Sequence, residues 1–332
     1  MTVATRIIAG VLLVISAAAE IRAQTVDLFE AREYRCSNAR FKRKLFKYRL
    51  FVPRGARPGE RFPLLLWLHG LGEGGDNNTA QLRWIDLMLD DPRHAEKYRF
   101  FVLAVQCPWD LSWSGGAAGT ANEQPTDMLS VTADILQETM DRHPVERDRV
   151  YLAGISAGAA ATWEMAMRHP ELFAAVVPLA CASGSDESRA AKLVKIPIWV
   201  FINKGERAGM ERMVAAVRAA GGNAYLTVAD AAGHDAWSAP LKGGILQWML
   251  AQRRGAPCWT PPGHDVWQWW HELTIPAAVV VFVRLAWFIE QWRRRPRKMA
   301  PAAKRANLSP DQPGSDACSE PLESRTPNAE TV

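Results

Sequence analysis

Between Phe46 and Gln252 the chain alternates short, nearly continuous apolar runs with longer stretches whose apolar residues recur at helical spacing. Runs such as LLLWL, VVPLA and IPIWVFI lack the apolar/polar alternation of a half-exposed strand, so they predict strands covered on both faces. The strands fall at 47–53, 63–68, 100–105, 149–154, 174–179, 196–202 and 225–228, and helices at 128–142, 157–169, 210–220 and 241–252. Strands separated by helices in this way imply an α/β fold, a mainly parallel sheet with helices on both faces. Ligand sites in such sheets form at the carboxyl ends of the strands. His69-Gly70, Cys107 to Asp110, Ser156 and Asn203 to Glu206 each follow directly on a strand.

Outside this body the pattern changes. Residues 1–23 carry Arg6, an apolar run from Ile7 to Ala19 and small residues at Ala17, Ala19 and Ala23, the order of a signal peptide cleaved after Ala19 or Ala23. Leu273 to Ile289 is almost wholly apolar, with Trp267, Trp269 and Trp270 before it and Trp292 after it, followed by Arg293, Arg294, Arg295, Arg297 and Lys298. Aromatic belts and a trailing basic cluster predict a membrane-spanning helix over 267–292 with its C-terminal end cytoplasmic, although Arg284 lies within the run. An in-plane amphipathic helix or a buried helix remains as an alternative. Residues 293–332, basic and rich in Pro and Ser, read as a disordered tail. Residues 24–258 are left as one catalytic domain, exported across the cytoplasmic membrane to the periplasm or beyond and tethered through the C-terminal segment.

The formal net charge of +5 changes little. The excess of Lys and Arg sits in the C-terminal tail and the body is nearly neutral, so the charge gives no ground for a nucleic-acid partner. Cys36, Cys107, Cys181 and Cys258 would lie on the oxidising side; their even number permits disulfides and equally permits buried thiols.

The sharpest chemical feature is Gly154-Ile155-Ser156-Ala157-Gly158, between the strand RVYLA and the helix AAATWEMAMRH. Strand, tight turn and helix are what a nucleophile elbow requires, with glycines where side chains would collide. A serine needs a neighbouring base. Among the histidines downstream, His169 adjoins Pro170 at a helix end and His264 and His271 lie beyond the domain, which leaves His234 in Gly233-His234-Asp235. Oxyanion donors are expected from the Ala157 amide and from the glycine-rich loop after the strand PLLLWL, where Leu71 is the candidate. Asp76, Asn77 and Asn78 on that loop, with Trp109 and Trp113 after the next strand, are expected at the cleft mouth, where indoles suit an aromatic acyl group or a sugar ring. This chemistry calls for no cofactor and no metal.

The order YRLFVP (48–53), PLLLWLHGLGEGGDNN (63–78), VQCPWD (105–110), RVYLAGISAGAAATWEMAMRHPELFAAVVPLACASG (149–184), IPIWVF (196–201) and GHDAW (233–237) resembles the secreted esterases of the α/β-hydrolase superfamily related to feruloyl esterases and polyhydroxybutyrate depolymerases. That group overlaps prolyl-oligopeptidase-like predicted peptidases. The resemblance spans about residues 45 to 255 and implies an α/β-hydrolase fold and serine hydrolysis, without fixing the substrate. It also implies an aspartate after IPIWVF, where this chain reads Asn203-Lys204-Gly205-Glu206-Arg207; Glu206 is the nearest carboxylate and Glu211 the next.

Three functions are consistent with these residues. The first is hydrolysis of a small-molecule or polysaccharide-linked carboxylic ester through an acyl-enzyme. The second is serine peptidase activity on the same constellation, and the third a membrane-tethered binding module that has lost turnover.

Overall fold

The computed structural model describes residues 25–37, 41, 44–89, 99–114, 128–181, 186–229 and 234–261, without the side chains of 206–208. The expected signal peptide, spanning helix and tail lie outside these residues. Within them no helix is long and apolar enough to cross a membrane. By its internal contacts the chain divides into Met1–Pro276 and Ala277–Val332, and all described residues belong to the first unit.

Eight strands form one sheet: β1 (Phe29–Arg35), β2 (Leu45–Phe51), β3 (Phe62–Leu68), β4 (Phe101–Val105), β5 (Val145–Ile155), β6 (Ala175–Leu179), β7 (Ile198–Asn203) and β8 (Ala224–Ala229). Their spatial order is β1-β2-β4-β3-β5-β6-β7-β8, antiparallel at the β1/β2 and β2/β4 pairs and parallel from β4 onward. Helices among the described residues include α1 (Met128–Arg142), α2 (Ala157–Arg168), α3 (Arg207–Ala219), α4 (Ser238–Lys242) and α5 (Ile245–Ala251).

Every residue of β3, β4, β6 and β7 is buried, which is why these runs show no alternation of polarity. The alternation is instead between two cores. Leu64, Leu66 and Leu68 of β3 join Leu152, Val200 and residues of α1, α2 and α3 on one face. Leu65 and Trp67 point the other way, to Tyr151, Trp199, Trp237 and Trp248 beside α4 and α5.

Two elements differ from the sequence expectation. β1 was not anticipated, because its exposed edge carries Glu30, Arg32, Glu33 and Arg35 and buries little besides Phe29. The expected helix 241–252 is broken at Gly243-Gly244, with Gly244 at φ +88°, a conformation that favours glycine. The four cysteines of the described residues form no disulfide with one another.

β3 and β5 are neighbours, with Leu68 paired to Gly154. Their carboxyl ends therefore deliver the glycine-rich loop and Ser156 to adjoining positions.

Candidate active site

Ser156 stands between β5 and α2 with φ +53° and ψ −117°, a strained geometry for a residue with a side chain that costs about 1–3 kcal/mol. The turn holds because its neighbours leave no alternative. A Cβ on Gly158 would come within 2.1 Å of the Leu68 carbonyl oxygen, and one on Gly154 within 2.6 Å of the Gly158 oxygen. Ser156 donates its amide to Leu179 O at 2.9 Å, and its carbonyl accepts from Ala159 and Ala160, which starts α2. The side chain is left half-buried at the end of the sheet.

His234 meets it there: Nε2 lies 2.8 Å from Ser156 Oγ, across 78 residues of sequence. With the imidazole neutral and its proton on Nδ1, the hydroxyl donates to Nε2. The loop is shaped by Asp235, whose Oδ1 accepts from the amides of Trp237 (3.4 Å) and Ser238 (3.0 Å). The Trp237 ring stands edge-on to the imidazole at 5.4 Å and 86°.

Glu206 closes the short 3-10 turn Lys204–Glu206 at the end of β7, the position expected for the acid; its side chain lies outside the described residues. Glu211 is exposed on α3.

Ala157 is the first residue of α2, where an amide has no acceptor within the helix. Leu71 opens the 3-10 turn Leu71–Glu73, directly after Gly70, where an added Cβ would stand 3.4 Å from Ser156 Cβ, and the residue is 73% exposed. The loop behind Leu71 is braced throughout. His69 is buried, with Nδ1 2.6 Å from Gly70 O and Nε2 accepting the Cys107 amide at 2.9 Å. Since that amide can only donate, the ring proton sits on Nδ1. Burial lowers the pKa of His69 to about 4 against a smaller opposing effect of the Gly70 carbonyl, so it is a neutral brace at neutral pH. Gln106 donates to Glu73 O (3.2 Å) and Asn77 Oδ1 (3.0 Å) and accepts from the Asn78 amide (2.7 Å).

The loop residues expected at the cleft mouth serve partly as braces. The Asp76 carbonyl accepts from Lys47 Nζ, Asn77 Oδ1 also accepts the amides of Thr79 and Ala80, and Asn78 is buried at φ +55°. The two tryptophans part company. Trp109 is 67% exposed, its ring lying against Gly74 and Gly75 so closely that a Cβ on either would reach within 3.1 Å of the indole. Trp113 is only 7% exposed; its Nε1 donates to His69 O at 3.2 Å and its ring packs on the His69 imidazole, so it supports the loop from beneath.

His69, Gln106 and Trp237 were not singled out as site residues from the sequence. The available signal was position, a polar residue closing an apolar run, as His69 closes PLLLWL and Gln106 closes FFVLAV. Trp237 closes the GHDAW segment, but nothing in that segment marks its contact with the imidazole. The nearby Cys107 thiol is pushed up to about 12 by burial and by the Asp110 carboxylate, which keeps it protonated and unreactive. Among the described residues no group of three His, Cys, Asp or Glu side chains has the geometry of a metal site.

A model of the family described as "Esterase PHB depolymerase" matches residues 46–220, more than half of the chain. Acetylxylan esterase A of Emericella nidulans is 29% identical over 89 residues, covering 26% of this chain and 29% of its own length. A crystal structure of a thermostable esterase superposes with a TM-score of 0.61 at 28% identity, covering 69% of this chain and 64% of that one. The chain thus spans less than two thirds of the length of both. A ferulic acid esterase with a TM-score of 0.50 and 17% identity, covering 67% of this chain and 97% of its own, shares the fold.

Proposed function

The chain belongs to the esterase PHB depolymerase family, and from that premise we propose that it hydrolyses carboxylic esters with Ser156 as nucleophile and His234 as general base. The observation that carries this reading is the 2.8 Å contact between His234 Nε2 and Ser156 Oγ on a strained turn. Oγ attacks the acyl carbon while its proton passes to Nε2. The oxyanion that develops is met by the amides of Ala157 and Leu71, donors that need no rearrangement as charge appears. Collapse expels the alcohol, which takes the proton from His234. Water, deprotonated by His234, then attacks the acyl-enzyme and releases the acid and Ser156.

Glu206 is proposed as the carboxylate that orients His234, on the strength of its position at the end of β7. Trp109, exposed beside the glycine-rich loop, offers a flat apolar face to the ester, and Trp113 contributes through the loop it supports. The apolar segment 273–289 with its flanking tryptophans and arginines supports a tether on an exported domain. Protease accessibility of the catalytic domain on spheroplasts tests that placement, and protection of the domain there would sink it.

The decisive experiment incubates the protein with a fluorophosphonate probe and with para-nitrophenyl acetate and butyrate, beside Ser156→Ala and His234→Ala. The wild type should label and turn over, and Ser156→Ala should lose about 10⁴-fold or more in kcat. An unlabelled, inactive wild type overturns the reading. Glu206→Gln should lower kcat far more than Glu211→Gln, and the reverse order would move the acid to Glu211.

A further inference from the structure

The glycine-rich loop and the His234 loop are joined by one side chain that the reaction scheme leaves unused. Glu73, on the loop that carries Leu71, is only 6% exposed although it is a carboxylate. Its Oε1 accepts from Trp84 Nε1 at 3.3 Å and lies 3.7 Å from Arg83 Nη1. Its Oε2 is 3.0 Å from the point where a Cβ on Gly70 would stand, a point itself 3.4 Å from Ser156 Cβ. The carboxylate is therefore wedged against the backbone immediately before Leu71.

The Trp84 indole also reaches the tryptophan that packs on the base. Its ring lies 5.4 Å from that of Trp237 at 61°, and Trp237 lies 5.4 Å from the His234 imidazole at 86°. Both contacts fall in the edge-to-face range, where aromatic pairs are mutually attractive. Trp84 also directly precedes the 3-10 turn Ile85–Leu87, which packs against α4, the helix that follows His234 in sequence. One rigid indole thus spans a continuous path from Glu73 through Trp237 to His234.

We propose that Trp84 is a positioning residue, a strut that fixes the His234 imidazole relative to the Leu71 amide by donating to Glu73 at one end and packing on Trp237 at the other. The inference rests on the roles proposed above for His234 and Leu71. Its physical basis is that proton transfer and oxyanion stabilisation both depend on sub-ångström placement, so loosening the strut weakens the transition state more than substrate binding. A buried carboxylate also needs a donor, and Trp84 supplies it.

The test compares Trp84→Phe, Trp84→Leu and Glu73→Met in the full chain, with kcat expressed per site titrated by the fluorophosphonate probe. Trp84→Phe keeps an aromatic ring on Trp237 and loses the N–H, and should cost about 3- to 10-fold in kcat. Trp84→Leu loses both ends and should cost about 30- to 100-fold, with KM within about two-fold of wild type. Trp84→Phe combined with Glu73→Met should be no slower than the slower single variant, because Glu73→Met removes the acceptor and Trp84→Phe the donor of the same bond. Additive losses in that double variant, a Trp84→Phe kcat equal to wild type, or a loss confined to KM would each overturn the strut while leaving ester hydrolysis intact. A wild type that neither labels nor turns over would overturn the underlying reading instead.

Discussion

The segment His69–Asn78 is bonded down along most of its length and carries a buried histidine, whereas His234 and Asp235 are exposed on a turn in which Asp235 and Trp237 take part. Their two histidines make the contrast concrete. His69 is buried, lowered to about 4 and committed to two backbone groups, while His234 is exposed with Nε2 on the serine hydroxyl. An oxyanion donor works by being in place beforehand, so over-determination suits it. A base must take up and release a proton in each half-reaction, which a desolvated imidazole resists. The same residue type is thus a buried brace in one loop and, in the reading proposed above, an exposed reactive group in the other.

The severest way to break the comparison is to separate the two loops at the turn between them. Gly158→Ala would drive a Cβ to 2.1 Å from Leu68 O and 2.6 Å from His69 O, both backbone atoms. Either α2 or the start of the glycine-rich loop must move. We expect a loss of about 3 kcal/mol or more in chemical denaturation, with ester turnover abolished. A stable, active variant would mean that the turn is far more compliant than its contacts imply.

The braced loop should carry its own pH signature. Because the pKa of His69 falls from 6.5 to about 4 on folding, the unfolded chain binds the proton first. The stability this represents is complete above about pH 6.5 and is lost as pH falls toward 4, roughly 3 kcal/mol in total. Urea titrations at pH 7.5, 5.5 and 4.5 should show that decline in the wild type and a shallower one in His69→Gln, which starts lower. Parallel declines would remove His69 as the cause. Gln106→Leu comes next: it leaves the Asn78 amide and the Glu73 carbonyl without their partner and should cost about 2 kcal/mol by thermal or urea unfolding. An unchanged midpoint would show that other contacts suffice to hold the loop.

These braces were the least legible part of the chain. The parallel sheet and the two residues that meet at its end, Ser156 and His234, could be read because each leaves a local mark: apolar runs without alternation, glycines flanking a serine, a histidine after the last strand. A brace leaves none, since it is defined by what it meets elsewhere. Gln106 reaches Asn77 and Asn78, nearly thirty residues upstream, and Trp113 reaches His69 from 44 residues away. Trp113 shows the cost, because an indole after a strand reads equally well as a cleft wall and as a buried support, and only tertiary contact separates the two. β1 was missed for a related reason: on an edge, pairing with β2 replaces the hydrophobic pattern that would announce a strand.

The smallest expected effect falls on the loop that carries His234, where it is most diagnostic. Asp235→Ala removes the acceptor for the Trp237 and Ser238 amides at the start of α4 and should lower stability by about 1 kcal/mol, the usual cost of a lost cap. The same change frees the turn that presents His234, so activity should fall by more than so small a stability loss would predict, while labelling at saturating fluorophosphonate still reaches completion. Asp235→Asn keeps an oxygen acceptor and should restore most of the rate. A variant that lost a full kcal/mol yet kept wild-type kcat would show that His234 is placed by Trp237 and its remaining contacts rather than by its own turn, and the contrast between the two loops would then rest on burial alone.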